Sequence, residues 1–101
     1  MYSQLREIID HYGVNHQKMV ACEELGELIQ AISKSVRYPE TYDIENLKGE
    51  MADVFIVLQE MMLIHNIEWT NIIAIANSKI ARQKKRMEEE DLKCGKPSDN
   101  I

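Results

Sequence analysis

One stretch of this sequence leaves few ways for the chain to fold: Val54-Phe-Ile-Val-Leu58, followed closely by Met61-Met-Leu-Ile64. Wound into a helix it is apolar nearly all the way round, and a helix of that kind must be covered on most of its sides. A chain of 101 residues is one domain with a modest core and can hardly supply that cover alone. The sequence therefore predicts that a second copy lies against this helix.

The remaining pattern is helical as well. No segment alternates as a half-buried strand would, and both prolines fall at junctions. A first helix is predicted over about Tyr2 to His11, ending near Gly13 as a C-terminal cap. Asn15 is the predicted cap of a second helix reaching about Val36, with Met19, Cys22, Leu25, Ile29, Ile32 and Val36 as its apolar face. Pro39 disfavours helix at Tyr38, so Tyr38 to Asp43 reads as a loop. Asp43 then caps a third helix, about Ile44 to His65, which Asn66 ends. A fourth helix is expected from about Trp69 to Asp91, with Ile72, Ile73, Ile75, Ile80 and Met87 apolar. The expected layout is all-α: one domain over residues 1–92 and a flexible tail over residues 93–101.

Within this frame two groups of acids stand in apolar surroundings. Glu23, Glu24 and Glu27 lie in the second helix, and Glu50 and Asp53 in the third. At about 100° per residue, Glu24 and Glu27 share one helix face, and Glu50 and Asp53 share another. Antiparallel helices joined by a short loop can bring the two groups to one level. Carboxylates beside packing surfaces are costly unless a positive charge neutralises them. For donors that are all oxygen, the simplest neutraliser is Mg²⁺, with Mn²⁺ as a substitute. Such an ion leaves positions open for water and phosphate, and it serves phosphoanhydride hydrolysis.

The run Cys22-Glu-Glu-Leu-Gly-Glu-Leu-Ile-Gln30, followed by Asn46-Leu-Lys-Gly-Glu-Met-Ala-Asp-Val-Phe55, resembles the MazG-like all-α nucleoside triphosphate pyrophosphohydrolases. Their superfamily also includes dimeric dUTPases and dCTP pyrophosphatases. The shared hallmark is Glu-Glu-x-x-Glu followed by Glu-x-x-Asp, and both halves are intact here. The resemblance spans roughly residues 15 to 90. It implies a four-helix bundle working as a homodimer or a dimer-of-dimers tetramer. It also implies Mg²⁺-dependent cleavage of a nucleoside triphosphate to monophosphate and pyrophosphate. On that likeness Glu24, Glu27, Glu50 and Asp53 are metal ligands, and Glu23 with Glu24 is catalytic, Glu23 reaching a second ion or orienting water. The family's Lys-x-x-x-Asn-x-x-Arg is matched by Lys79 and Arg86, with Gln83 replacing the Asn. Read on their own, Lys79, Arg82, Gln83 and Arg86 fall on one helix face and would cradle a triphosphate.

Other residues carry weaker signals. His16 and Gln17 lie about two turns before Glu23 and would line a base pocket. A di-iron bundle needs Glu-x-x-His pairs, but Ile8, Gly13 and Met62 stand three residues before the three histidines. Met19, Met51, Met61 and Met62 read as core, Trp69 as a core or interface anchor, and Cys22 and Cys94 as reduced, non-ligating thiols. Tyr38 and Tyr42 sit in the loop connecting the second and third helices, and the sequence does not decide whether they approach a nucleotide. A net charge of −5 argues against a nucleic-acid partner. The apolar run is too short to span a bilayer and no signal segment is evident, so a cytoplasmic protein with no membrane partner is expected. Two rivals share this fold. One is a non-catalytic dimeric helical module that binds nucleotide or a partner chain, and the other a hydrolase of damaged nucleotides.

Overall fold

The computed structural model describes residues 1–94. It contains four helices among the described residues: α1 (Tyr2–Tyr12), α2 (Val14–Arg37), α3 (Ile44–His65) and α4 (Trp69–Cys94). No strand occurs among those residues, so the all-α expectation holds. The chain divides into two compact units, Met1–Asn66 and the segment from Ile67 on.

Three junctions explain the first unit. Gly13 alone separates α1 from α2, at φ 96° and ψ 154°, a conformation a side chain would strain. Its N–H donates to the Ile9 carbonyl at 2.7 Å, and its own carbonyl accepts from Gln17 N at 3.1 Å. Gly13 thus ends one helix and begins the next. The expected cap at Asn15 is corrected on this ground, because no loop remains before Val14. Asp43 caps α3 as predicted, its Oδ1 accepting from Glu45 N (3.0 Å) and Asn46 N (3.2 Å). Asn66 closes α3 in the left-handed region, φ 55° and ψ 45°, which Asn tolerates better than most residues.

Packing within this unit is chiefly α2 on α3, with α1 against both. The buried apolar residues are Leu5 and Ile9 of α1, Ala21 and Ala31 of α2, and Val57 and Met62 of α3. The apolar face read for α2 is not the face it buries within this chain. Met19, Leu25, Ile29, Ile32 and Val36 are exposed, as is the free thiol of Cys22. So are Met51, Phe55, Ile56 and Leu58 of α3. The residues α2 buries are instead Gln17, Ala21 and Ala31, with Glu24 half-buried among them. Small and polar residues let two helices approach closely around a polar site, and the bulky stripe is left pointing away. Met62 is core and Met61 half-buried, but Met19 and Met51 are not core.

In the second unit α4 runs three residues past the predicted end at Asp91. Lys93 and Cys94, expected in the tail, are helical, and the rest of that tail (95–101) lies outside the described residues. Trp69 is partly exposed at the start of α4, beside Thr70, Ile73, Ala74 and Asn77, which line an open apolar concavity with it.

Candidate active site

The antiparallel run of α2 and α3 sets Glu24 and Glu27 opposite Glu50 and Asp53. One carboxylate oxygen from each of the four lies within 4.8 Å of the others. Glu24 and Glu50 are half-buried, Glu27 and Asp53 exposed. The Oε2 atoms of Glu24 and Glu50 are sealed from solvent without a hydrogen-bond partner among the described residues. Burial is the first cause raising the carboxyl pKa of Glu24, followed by repulsion from Glu27, Asp53 and Glu50 and a hydrogen bond with Asp53. Burial likewise leads for Glu50, followed by Glu27, both as a charge and as a hydrogen-bond partner, and then by the charge of Asp53.

Four acids held this close repel one another, and two of them resist ionising. A hard divalent cation would relieve both effects, since it takes oxygen ligands and replaces the missing partners of the sealed oxygens. The donor set fits Mg²⁺ or Mn²⁺, and softer nitrogen or sulfur donors are absent from it.

Glu23 is exposed and stands outside this quartet. Gln17 is buried, and its Nε2 donates to Glu60 Oε1 at 3.0 Å. His16 is exposed; its Nδ1 lies 2.9 Å from Gln17 Oε1, and its ring stacks on Tyr12 with centroids 5.0 Å apart. A cavity of about 160 Å³ begins at Glu24 and Asp53 and reaches Gln17 and Glu60. Gln17 thus lines a pocket beside the acids, where the sequence suggested a base pocket. A larger concavity of about 320 Å³ lies by the α2–α3 loop, between Lys34, Tyr38, Tyr42 and Asn46. It shares no residue with the acidic quartet, so Tyr38 and Tyr42 belong to a separate surface.

Lys79, Arg82 and Arg86 are exposed along α4, where Arg86 Nη1 donates to Gln83 Oε1 at 3.4 Å. Glu60 is the residue the sequence reading passed over. It stands seven positions after Asp53, as Gln17 stands seven before Glu24, and seven residues are nearly two helical turns. The signal was an acid on the Asp53 face of an otherwise apolar helix.

Residues 14–88 match the MazG nucleotide pyrophosphohydrolase domain. That match covers most of the chain, and the protein belongs to this family of nucleotide pyrophosphohydrolase-type hydrolases. No curated protein and no solved structure matches the chain. No described helix is long and apolar enough to cross a membrane.

Proposed function

We propose that this protein is a Mg²⁺-dependent nucleoside triphosphate pyrophosphohydrolase, releasing a nucleoside monophosphate and pyrophosphate and serving nucleotide-pool housecleaning. The observation that carries the reading is the acidic quartet, with its two sealed and unpartnered oxygens, inside a MazG domain. Glu24, Glu27, Glu50 and Asp53 would hold the ion. When bound, Mg²⁺ screens phosphate charge and lowers the pKa of water at the site. The exposed carboxylate of Glu23, next to Glu24 in sequence, would orient the attacking water and accept its proton. The water oxygen bonds to the α-phosphorus as the bridging oxygen leaves with pyrophosphate. Lys79, Arg82 and Arg86 would hold the phosphates as charged donors, and Gln17, steadied by His16, would meet the base.

The working form in this proposal is a homo-oligomer, a dimer or a dimer of dimers. Ile29 is 67% exposed, Met51 56% and Phe55 45%, and bulky apolar side chains left in water on α2 and α3 are the surface an oligomer would bury. The reading places the protein in the cytoplasm.

The test replaces single carboxylates without changing their shape. Glu50→Gln or Asp53→Asn is expected to lower turnover with Mg²⁺ on the order of a hundredfold or more, with helix content by circular dichroism unchanged. Activity like that of the unmodified protein in either variant contradicts the assignment.

A further inference from the structure

Gly49 stands inside α3, directly before Glu50 in the sequence, and the chain itself gives no reason for a glycine there. Its backbone is not left-handed, since Gly13 is the one glycine with positive φ among the described residues. A side chain at Gly49 would meet no atom within 4 Å. Neither a turn nor a close contact therefore requires glycine. Yet glycine weakens a helix interior more than any residue except proline. A destabilising residue with no partner inside the chain points to an outside group that occupies the open space.

The place of Gly49 on the helix indicates which group that is. Gly49, Asp53, Ile56 and Glu60 follow one another at spacings of four, three and four residues, so they form one strip along α3. Asp53 belongs to the acidic quartet. Past it, Ile56 and Glu60 line the cavity of about 160 Å³, together with Ile8, Val20 and Val57. That end is unsuited to phosphate. Its walls are chiefly apolar, and Glu60 is 1% exposed within it. A carboxylate only accepts and repels phosphate oxygens, and burying a charge among apolar groups is costly. On the other side of Asp53, one turn away, the strip is exposed and carries no side chain at Gly49. Gly26, beside Glu27, has the same open space. It lies instead on the helix face of the exposed Cys22 and Ile29, about 160° from Glu24.

We propose that the missing side chain of Gly49 makes room for the two terminal phosphates of the substrate, the part that leaves as pyrophosphate. The proposal rests on the triphosphate pyrophosphohydrolase reading and adds to it the direction in which the phosphate tail lies. The tail runs from the acids toward the start of α3, away from the cavity. A side chain at position 49 would push it off the acids, and displacing a reacting group by about 1 Å can lower a rate roughly a hundredfold.

The experiment uses the full chain carrying Gly49→Ala or Gly49→Leu. Without metal or nucleotide, Gly49→Ala should raise the melting temperature by roughly 2–8 °C, because alanine favours the helix and its methyl group meets nothing. Calorimetric titration with pyrophosphate in Mg²⁺ should show affinity at least about tenfold weaker in Gly49→Leu, with nucleoside monophosphate binding unchanged. The kcat/KM for nucleoside triphosphates should fall with it, and the thermal shift given by Mg²⁺ alone should persist. A folded Gly49→Leu protein that binds pyrophosphate as tightly as the unmodified protein overturns the proposal, and its hydrolysis leaves the pyrophosphohydrolase reading standing. A Gly49→Ala protein no more stable than the unmodified one also overturns it. So does a loss of oligomeric mass in Gly49→Leu by light scattering, which assigns the space to a second copy. Should Gly49→Leu fail to fold, Gly49→Ala decides: weaker pyrophosphate binding supports the proposal and unchanged binding overturns it. An unmodified protein that forms no monophosphate and binds no pyrophosphate overturns both readings.

Discussion

Glu50 is a side chain that opposes folding when ionised and that the proposed metal site would need. In the metal-free protein its carboxyl pKa is raised above the ordinary 4.5, by burial first and by Glu27 and Asp53 after it. A raised folded-state pKa means that the folded chain binds the proton more tightly than the unfolded chain. The associated stability is fully present below about 4.5 and is lost as pH rises through the folded value. Glu24 behaves in the same way. Glutamine mimics the protonated acid, so metal-free Glu50→Gln should melt like the unmodified protein near pH 4.5. It should melt at a higher temperature near pH 8. Saturating Mg²⁺ should then raise the melting temperature of the unmodified protein much more than that of the variant. A melting difference that does not change with pH would mean that Glu50 is not held in a strained, acid-lined position.

The helices were legible for local reasons, and their faces were not. Asp43 and Asn66 were readable because a cap depends on a few adjacent residues. The α1–α2 junction was misread because Asn15 is the better capping side chain, whereas Gly13 can adopt the backbone angles that a one-residue junction demands. The face that α2 buries within the chain was not legible for a different reason. Hydrophobic periodicity reports which face avoids water, and it does not say whose surface covers it. The acids were found because charge inside an apolar pattern is unusual. Glu60 meets the same test, standing between Leu58 and Met61 in the apolar run, and the sequence reading assigned it no role. The capping account carries its own test at this scale. Asp43→Ala removes the acceptor of two N–H groups and should cost about 1 kcal/mol. That corresponds to a fall in melting temperature of roughly 4–8 °C, measured by circular dichroism. An unchanged melting temperature would show that Asp43 does not hold the start of α3.

At the scale of the whole molecule, the sequence and the structure meet on the apolar surface of α2 and α3. The sequence demanded cover for Val54 to Ile64, and only Val57 and Met62 of its apolar residues are buried. Of the rest, Phe55, Ile56 and Leu58 are exposed, and these are what the second copy of the proposed oligomer would cover. Phe55→Lys introduces a charge on that surface at a position the single chain leaves half open. It should convert an oligomer into a monomer by light scattering coupled to size exclusion, because a lone buried charge is strongly disfavoured. An unmodified protein that runs as a monomer at micromolar concentration would contradict the oligomer.

The most direct measurement follows the phosphorus. Purified protein is incubated with Mg²⁺ and nucleoside triphosphates, and the products are identified by ³¹P nuclear magnetic resonance. The account predicts monophosphate and pyrophosphate in equal amounts. Diphosphate with orthophosphate, or no product from a protein that Mg²⁺ and nucleotide still stabilise, would contradict it.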